Sequence, residues 1–179
     1  MLCVSLELYL MNVKHPVFLR YVAGLVLLQV WCTMRFDDTK AINPWNIQEL
    51  DTYWRLELER TKTTGPGKRR VTVHAYLSHA AYFAVDGWST CFMKLLFDPP
   101  FDFERDFLLP LPASDWSGVI KSAAIHSDAL AIYRSLFERL RVPTYVKKSG
   151  VAVWSESPRL LIPSGWADAW TTHSCRKNL

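Results

Sequence analysis

A chain of 179 residues, half of them apolar, can bury one sizeable core but leaves little room for a second full domain. Its formal charge of +4 is too small to point to a polyanionic partner, so the placement of the basic residues matters more than their total. The four cysteines, Cys3, Cys32, Cys91 and Cys175, are far apart with no CxxC pair. That spacing argues against a structural zinc site or a disulfide framework and fits a reducing, intracellular compartment.

The apolar N-terminus is interrupted by Glu7 and lacks a basic leader, and the run Tyr21 to Trp31 contains Gln29 and is too short to span a bilayer. Neither a signal peptide nor a membrane anchor is expected. Pro16 to Met34 reads as a core helix, apolar on nearly every side, with the proline in its first turn. So central a helix so near the start of the chain hints at further sequence upstream.

This helix is predicted to end in Arg35, with Asp37 and Asp38 close behind. Asp38, three residues on, shares a helical face with Arg35 and could hold its guanidinium fork for a phosphate. An ordinary helix-end arginine paired with an aspartate accounts for the same residues. Beyond the break at Asn43-Pro44, the period changes to two. Tyr53 to Arg60 and Arg69 to Leu77 both alternate apolar and polar residues, as half-buried strands do. Between them, Gly65-Pro66-Gly67 marks a turn, giving a β-hairpin whose tip carries Lys62, Lys68, Arg69 and Arg70 without an acidic residue. A lysine-rich tip can contact nucleic acid, and it equally protects a sheet edge from aggregation. Lys62, just before the turn among threonines, is the one best placed to hold its amine towards a ligand.

A helix is expected from Asp86-Gly87-Trp88 through Phe97, ended by Pro99-Pro100. Phe101 to Pro112 reads as a loop in which Asp102, Glu104 and Asp106 match no calcium-loop spacing and are expected to be solvated. Ser127 reads as the cap of a helix reaching Arg141, packed through Ile132, Leu136 and Leu140. Tyr145 to Ser157 is expected to be a connecting stretch with a basic pair, Lys147 and Lys148. In the last segment, Thr171 or Thr172 could cap a helix with His173 and Arg176 on one face near its N-terminus, a favourable place for an anion. An exposed helix start explains that H-x-x-R pattern equally well, and Cys175 reads as a packed thiol rather than a nucleophile.

Three stretches, Met34-Arg35-Phe36-Asp37-Asp38, Thr61-Lys62-Thr63 and Thr172-His173-Ser174-Cys175-Arg176, resemble in order the catalytic domain of tyrosine recombinases, the phage integrase superfamily. The resemblance is nearest to the recombinases of eukaryotic DIRS-type and Crypton-type mobile elements and runs from about Val17 to Leu179. It implies a mainly α fold with a small antiparallel β-hairpin or sheet, an α+β class, in a single partial catalytic domain over residues 1–179. It also implies DNA recombination and integration: Arg35 and Arg176 clamp a phosphate, His173 assists, Lys62 acts as general acid and Asp38 supports Arg35. Lys68, Arg69 and Arg70 are then DNA-binding residues.

The implied partner is double-stranded DNA, with homo-oligomers on the DNA, no membrane, no cofactor, no metal, and a nuclear location in a eukaryote. The family's nucleophilic tyrosine follows the H-x-x-R segment, whereas all seven tyrosines here precede Arg176. The family's core-binding domain is not represented either. An inactive fragment or decayed copy is therefore expected. Two alternatives stand beside it: a noncatalytic DNA-binding relic, and a structural or interaction domain that matches the motifs by chance.

Overall fold

A computed structural model describes residues 1–60 and 71–169. Two helices open the chain, α1 (Leu2–Met11) and α2 (Val17–Trp31), antiparallel neighbours joined by a short turn ending in Pro16. In α2, Phe18, Leu19 and every residue from Tyr21 to Val30 are buried, because the helix packs against α1, α4 (Trp88–Leu95) and α5 (His126–Phe137) together. This is the apolar core helix expected from the sequence, but it stops four residues before Arg35 rather than running up to it. A separate one-and-a-half-turn helix, α3 (Phe36–Lys40), follows.

Three short strands come next, β1 (Gln48–Glu49), β2 (Tyr53–Arg60) and β3 (Val71–Ser78), in one antiparallel sheet of order β1-β2-β3. The ladder runs from Tyr53 opposite Ser78 to Arg60 opposite Val71, so the expected hairpin is present; its tip lies outside the described residues. Leu56 and Leu58 turn inward while Glu57, Thr72, His74 and Tyr76 face water, the period-two alternation of a half-buried sheet.

A second small sheet pairs β4 (Pro110–Pro112) with β5 (Val119–Ala123), and a third pairs β6 (Arg141–Lys148) with β7 (Val151–Leu160). The chain is therefore α+β, with a larger strand share than expected. Two corrections account for the difference. Helix α5 ends at Phe137, not Arg141, and Tyr145 to Ser157, expected as a connection, lies in the β6–β7 hairpin. Ser149 and Gly150 make its two-residue turn, both with positive φ (52° and 82°), the geometry that matches the right-handed twist of the flanking strands.

One continuous core unites residues of α1, α2, α3, α4, α5 and the β2–β3 sheet. Glu7 lies inside it, fully buried, accepting hydrogen bonds from the backbone N–H groups of Phe83, Ala84 and Val85 at 2.8, 2.8 and 2.9 Å. The residue that interrupts the apolar N-terminus is thus an internal tie from α1 to the loop before α4. Among the described residues no helix is long and apolar enough to cross a membrane.

Candidate functional site

The turn that carries Arg35 is built from the end of α2. Thr33 adopts a left-handed conformation (φ 51°), which lets the N–H of Met34 reach the carbonyl of Gln29 at 2.9 Å and the N–H of Thr33 reach that of Val30 at 3.3 Å. These two bonds close the helix as a Schellman motif, normally made by glycine. A β-branched residue is strained at this φ. Thr33→Gly is accordingly expected to raise stability by about 0.5–1 kcal/mol, the relief of the left-handed strain less the extra chain entropy of glycine. A urea titration would show this, and an unchanged midpoint would refute the strain.

After this turn the backbone is extended at Arg35 (ψ 166°), and burial alternates: Met34 in, Arg35 out, Phe36 in. The two apolar neighbours hold the arginine between them with its side chain exposed. Asp38 touches Arg35 differently from the sequence expectation. Its carboxylate accepts the backbone N–H of Arg35 at 2.9 Å, as a helix-capping acid does, and so positions the residue through its main chain. The physical reason is the early stop of α2: Arg35 precedes α3 as its N-cap, and Asp38 sits at the third position of the new helix.

Behind Arg35 runs a buried polar chain that the sequence did not single out. The hydroxyl of Tyr133 on α5 donates to Gln29 Oε1 (3.2 Å), Gln29 Nε2 donates to the Thr39 hydroxyl (3.2 Å), and that hydroxyl donates to the Phe36 carbonyl (2.7 Å). Three helices are thereby tied beneath one turn. In retrospect the signal was Gln29 itself, a buried amide in an otherwise apolar helix that needs partners of its own. Phe36 also meets His126, at the start of α5, edge to face at 6.1 Å.

Contacts on the other side place this turn against the β1–β2–β3 sheet. Helix α3 packs on β2, and the Cys32 thiol donates to the Tyr76 carbonyl on β3 at 3.6 Å. Burial pushes that thiol up to about 12, so Cys32 is no thiolate nucleophile at neutral pH. Tyr76 lies towards one end of the β2–β3 ladder; the segment holding Lys62 begins at the other, beyond Arg60 and Val71.

Of the residues singled out by sequence, Lys62, Lys68, Arg69, Arg70, His173 and Arg176 lie outside the described residues. The approach to His173 is placed. Ala167 is buried, and Arg134 of α5 donates to the Asp168 carbonyl at 2.5 Å, with the Asp168 carboxylate 4.0 Å from the same guanidinium. Helix α5 therefore braces both the Arg35 turn and the stretch leading to the H-x-x-R segment.

Elsewhere, Asp102, Glu104 and Asp106 are exposed and alternate with buried Phe101, Phe103 and Arg105. The buried guanidinium of Arg105 is spent on the carbonyls of Leu96 (2.9 Å), Phe103 (3.1 Å) and Phe101, which pins this loop. An open groove of about 660 Å³ beside it is lined by Asn43, Trp45, Glu104, Arg105 and Asp106. Three tyrosines are buried, Tyr9, Tyr21 and Tyr133, and burial pushes the hydroxyls of Tyr9 and Tyr21 up to about 12. No protein-family model, curated protein or solved structure matches the chain.

Proposed function

We propose that this chain is a DNA recombination domain of the tyrosine-recombinase type, in which Arg35, Lys62, His173 and Arg176 engage one backbone phosphate of duplex DNA. The reading rests on one arrangement: α5 braces the turn that exposes Arg35 and also the stretch that leads into His173 and Arg176. Arg35 supports it further, being exposed and without a carboxylate partner for its guanidinium among the described residues. An arginine presented this way is available to a phosphate, whose two oxygens fit its planar fork.

In this mechanism the clamp stabilises charge that builds on the phosphoryl group. Lys62 protonates the departing 5′-oxygen. Attack on phosphorus belongs, in this mechanism, to a tyrosine after the H-x-x-R segment. Arg35, Lys62, His173 and Arg176 thus bind and polarise the phosphate. Such binding requires neither a nucleotide nor a metal.

Duplex binding measured by fluorescence anisotropy across a salt series tests the reading. The chain is expected to bind with an affinity that falls steeply with salt, and Arg35→Ala or Lys62→Ala to weaken binding roughly tenfold each, the loss of one charge-assisted contact. Absence of salt-sensitive binding would overturn the proposal.

A further inference from the structure

We propose that the β6–β7 hairpin is a DNA-contacting arm that enters the major groove, a contact surface additional to the Arg35 site; the inference rests on the duplex-binding reading above. Its base is fastened to the body. The Ser5 hydroxyl donates to the Arg141 carbonyl at 2.9 Å, and Asn12 Nδ2 donates to Glu156 Oε2 at 2.7 Å. Glu156 also meets His15 Nε2 at 2.9 Å, while Tyr9 stacks on the His15 ring at 3.8 Å. Pro143, paired with Glu156, is buried, so this level marks where the ribbon leaves the core.

Beyond it the ribbon stands out on both faces. Tyr145, Val146, Lys147, Val151, Val153 and Ser155 are all exposed, Val151 at 65%. The ladder from Thr144 opposite Ser155 to Lys148 opposite Val151 extends about 17 Å at the usual rise per residue. A two-stranded ribbon with no covered face is only marginally stable in water and gains from a partner.

Charge selects the partner. The ribbon sequence carries Arg141, Lys147, Lys148 and Arg159 against one acid, Glu156, and that carboxylate is already committed to Asn12 and His15. The outlying part from Thr144 to Ser155 has lysines and no acid, as a surface facing a polyanion requires. Shape agrees, since the major groove admits a two-stranded β-ribbon. By register, Thr144, Val146, Val151, Val153 and Ser155 share one face. Valine methyls suit the 5-methyl group of thymine, the hydroxyls of Thr144 and Ser155 can meet base edges, and the lysines in the ribbon sequence supply the charge for flanking phosphates.

The experiment uses the full chain and a 30-base-pair thymine-rich duplex. Lys147→Ala/Lys148→Ala is expected to reduce the slope of log affinity against log salt by about 2, one unit per lost phosphate contact. Replacing thymine with deoxyuridine is expected to weaken wild-type binding about fourfold for each methyl removed from the contact. Melting curves establish that the variant is folded. Wild-type binding with an unchanged slope in the double variant would overturn the arm and leave the duplex-binding reading standing; failure of the wild type to bind any duplex overturns both. A dimer in sedimentation that Val146→Ser/Val153→Ser disperses, with DNA affinity unaltered, would assign the ribbon to a second copy of the chain and overturn the proposal.

Discussion

Replacing Gly24 by alanine is expected to destabilise the protein by about 3 kcal/mol and to lower its Tm by roughly 6–12 °C. In an unconstrained helix the same change stabilises by about 1 kcal/mol, because glycine is the poorer helix former. Here the sign reverses for a steric reason. A Cβ at position 24 would lie 2.2 Å from Phe92 Cδ2, 2.6 Å from Cγ and 2.9 Å from Cβ. Rotating the ring cannot relieve a clash that includes Phe92 Cβ, so α2 and α4 would have to separate within a dense core. Phe92→Ala should cost less in the Gly24→Ala background than in the parent, a coupling that a double-mutant cycle measures. A variant as stable as the parent in urea would refute the close approach of the two helices.

Glu7→Leu is expected to cost about 3–5 kcal/mol, in spite of putting an apolar side chain into an apolar core. The buried carboxylate takes three successive backbone N–H groups, from Phe83 to Val85, and leucine would leave all three without that acceptor. Glu7→Gln keeps one carbonyl oxygen and should lose about half as much. Burial, the larger influence, raises the Glu7 carboxyl above its ordinary range, and the three N–H bonds oppose that rise. A carboxyl whose folded value exceeds its unfolded value favours the protonated form in the fold. Its contribution is therefore fullest in acid and declines as pH rises through the raised value. Glutamine has no proton to lose, so the Glu7→Gln variant should lack this part of the pH dependence of Tm. Equal melting of Glu7→Leu and wild type would exclude the tie.

Local signals carried much of the fold. The extent of β2 follows from the alternation between Tyr53 and Arg60, which nothing in its surroundings overrides. The apolar run after Pro16 read correctly as a central helix because it is apolar on all sides. The β6–β7 hairpin was harder to see, since its alternation is broken by Pro143 and Pro158 and its valines face water rather than a core. Ser149-Gly150 was the available turn signal. For the site, sequence singled out Arg35 and Asp38 and their contact. It mistook the contact's form, because a helix closed by threonine in a left-handed conformation carries no glycine to announce its end.

By itself the sequence determined the α+β class, the core helix, the β2–β3 pairing and the order of the basic candidates, all properties of periodicity and residue type within short windows. Tertiary structure decided where Arg35 sits, what Glu7 and Gln29 are for, and why position 24 must be glycine. Each of these depends on groups far apart in the chain: Phe83 to Val85 for Glu7, Tyr133 for Gln29, Phe92 for Gly24. A buried polar atom or a missing side chain acquires its meaning from whatever the fold packs against it, and no local pattern specifies that partner.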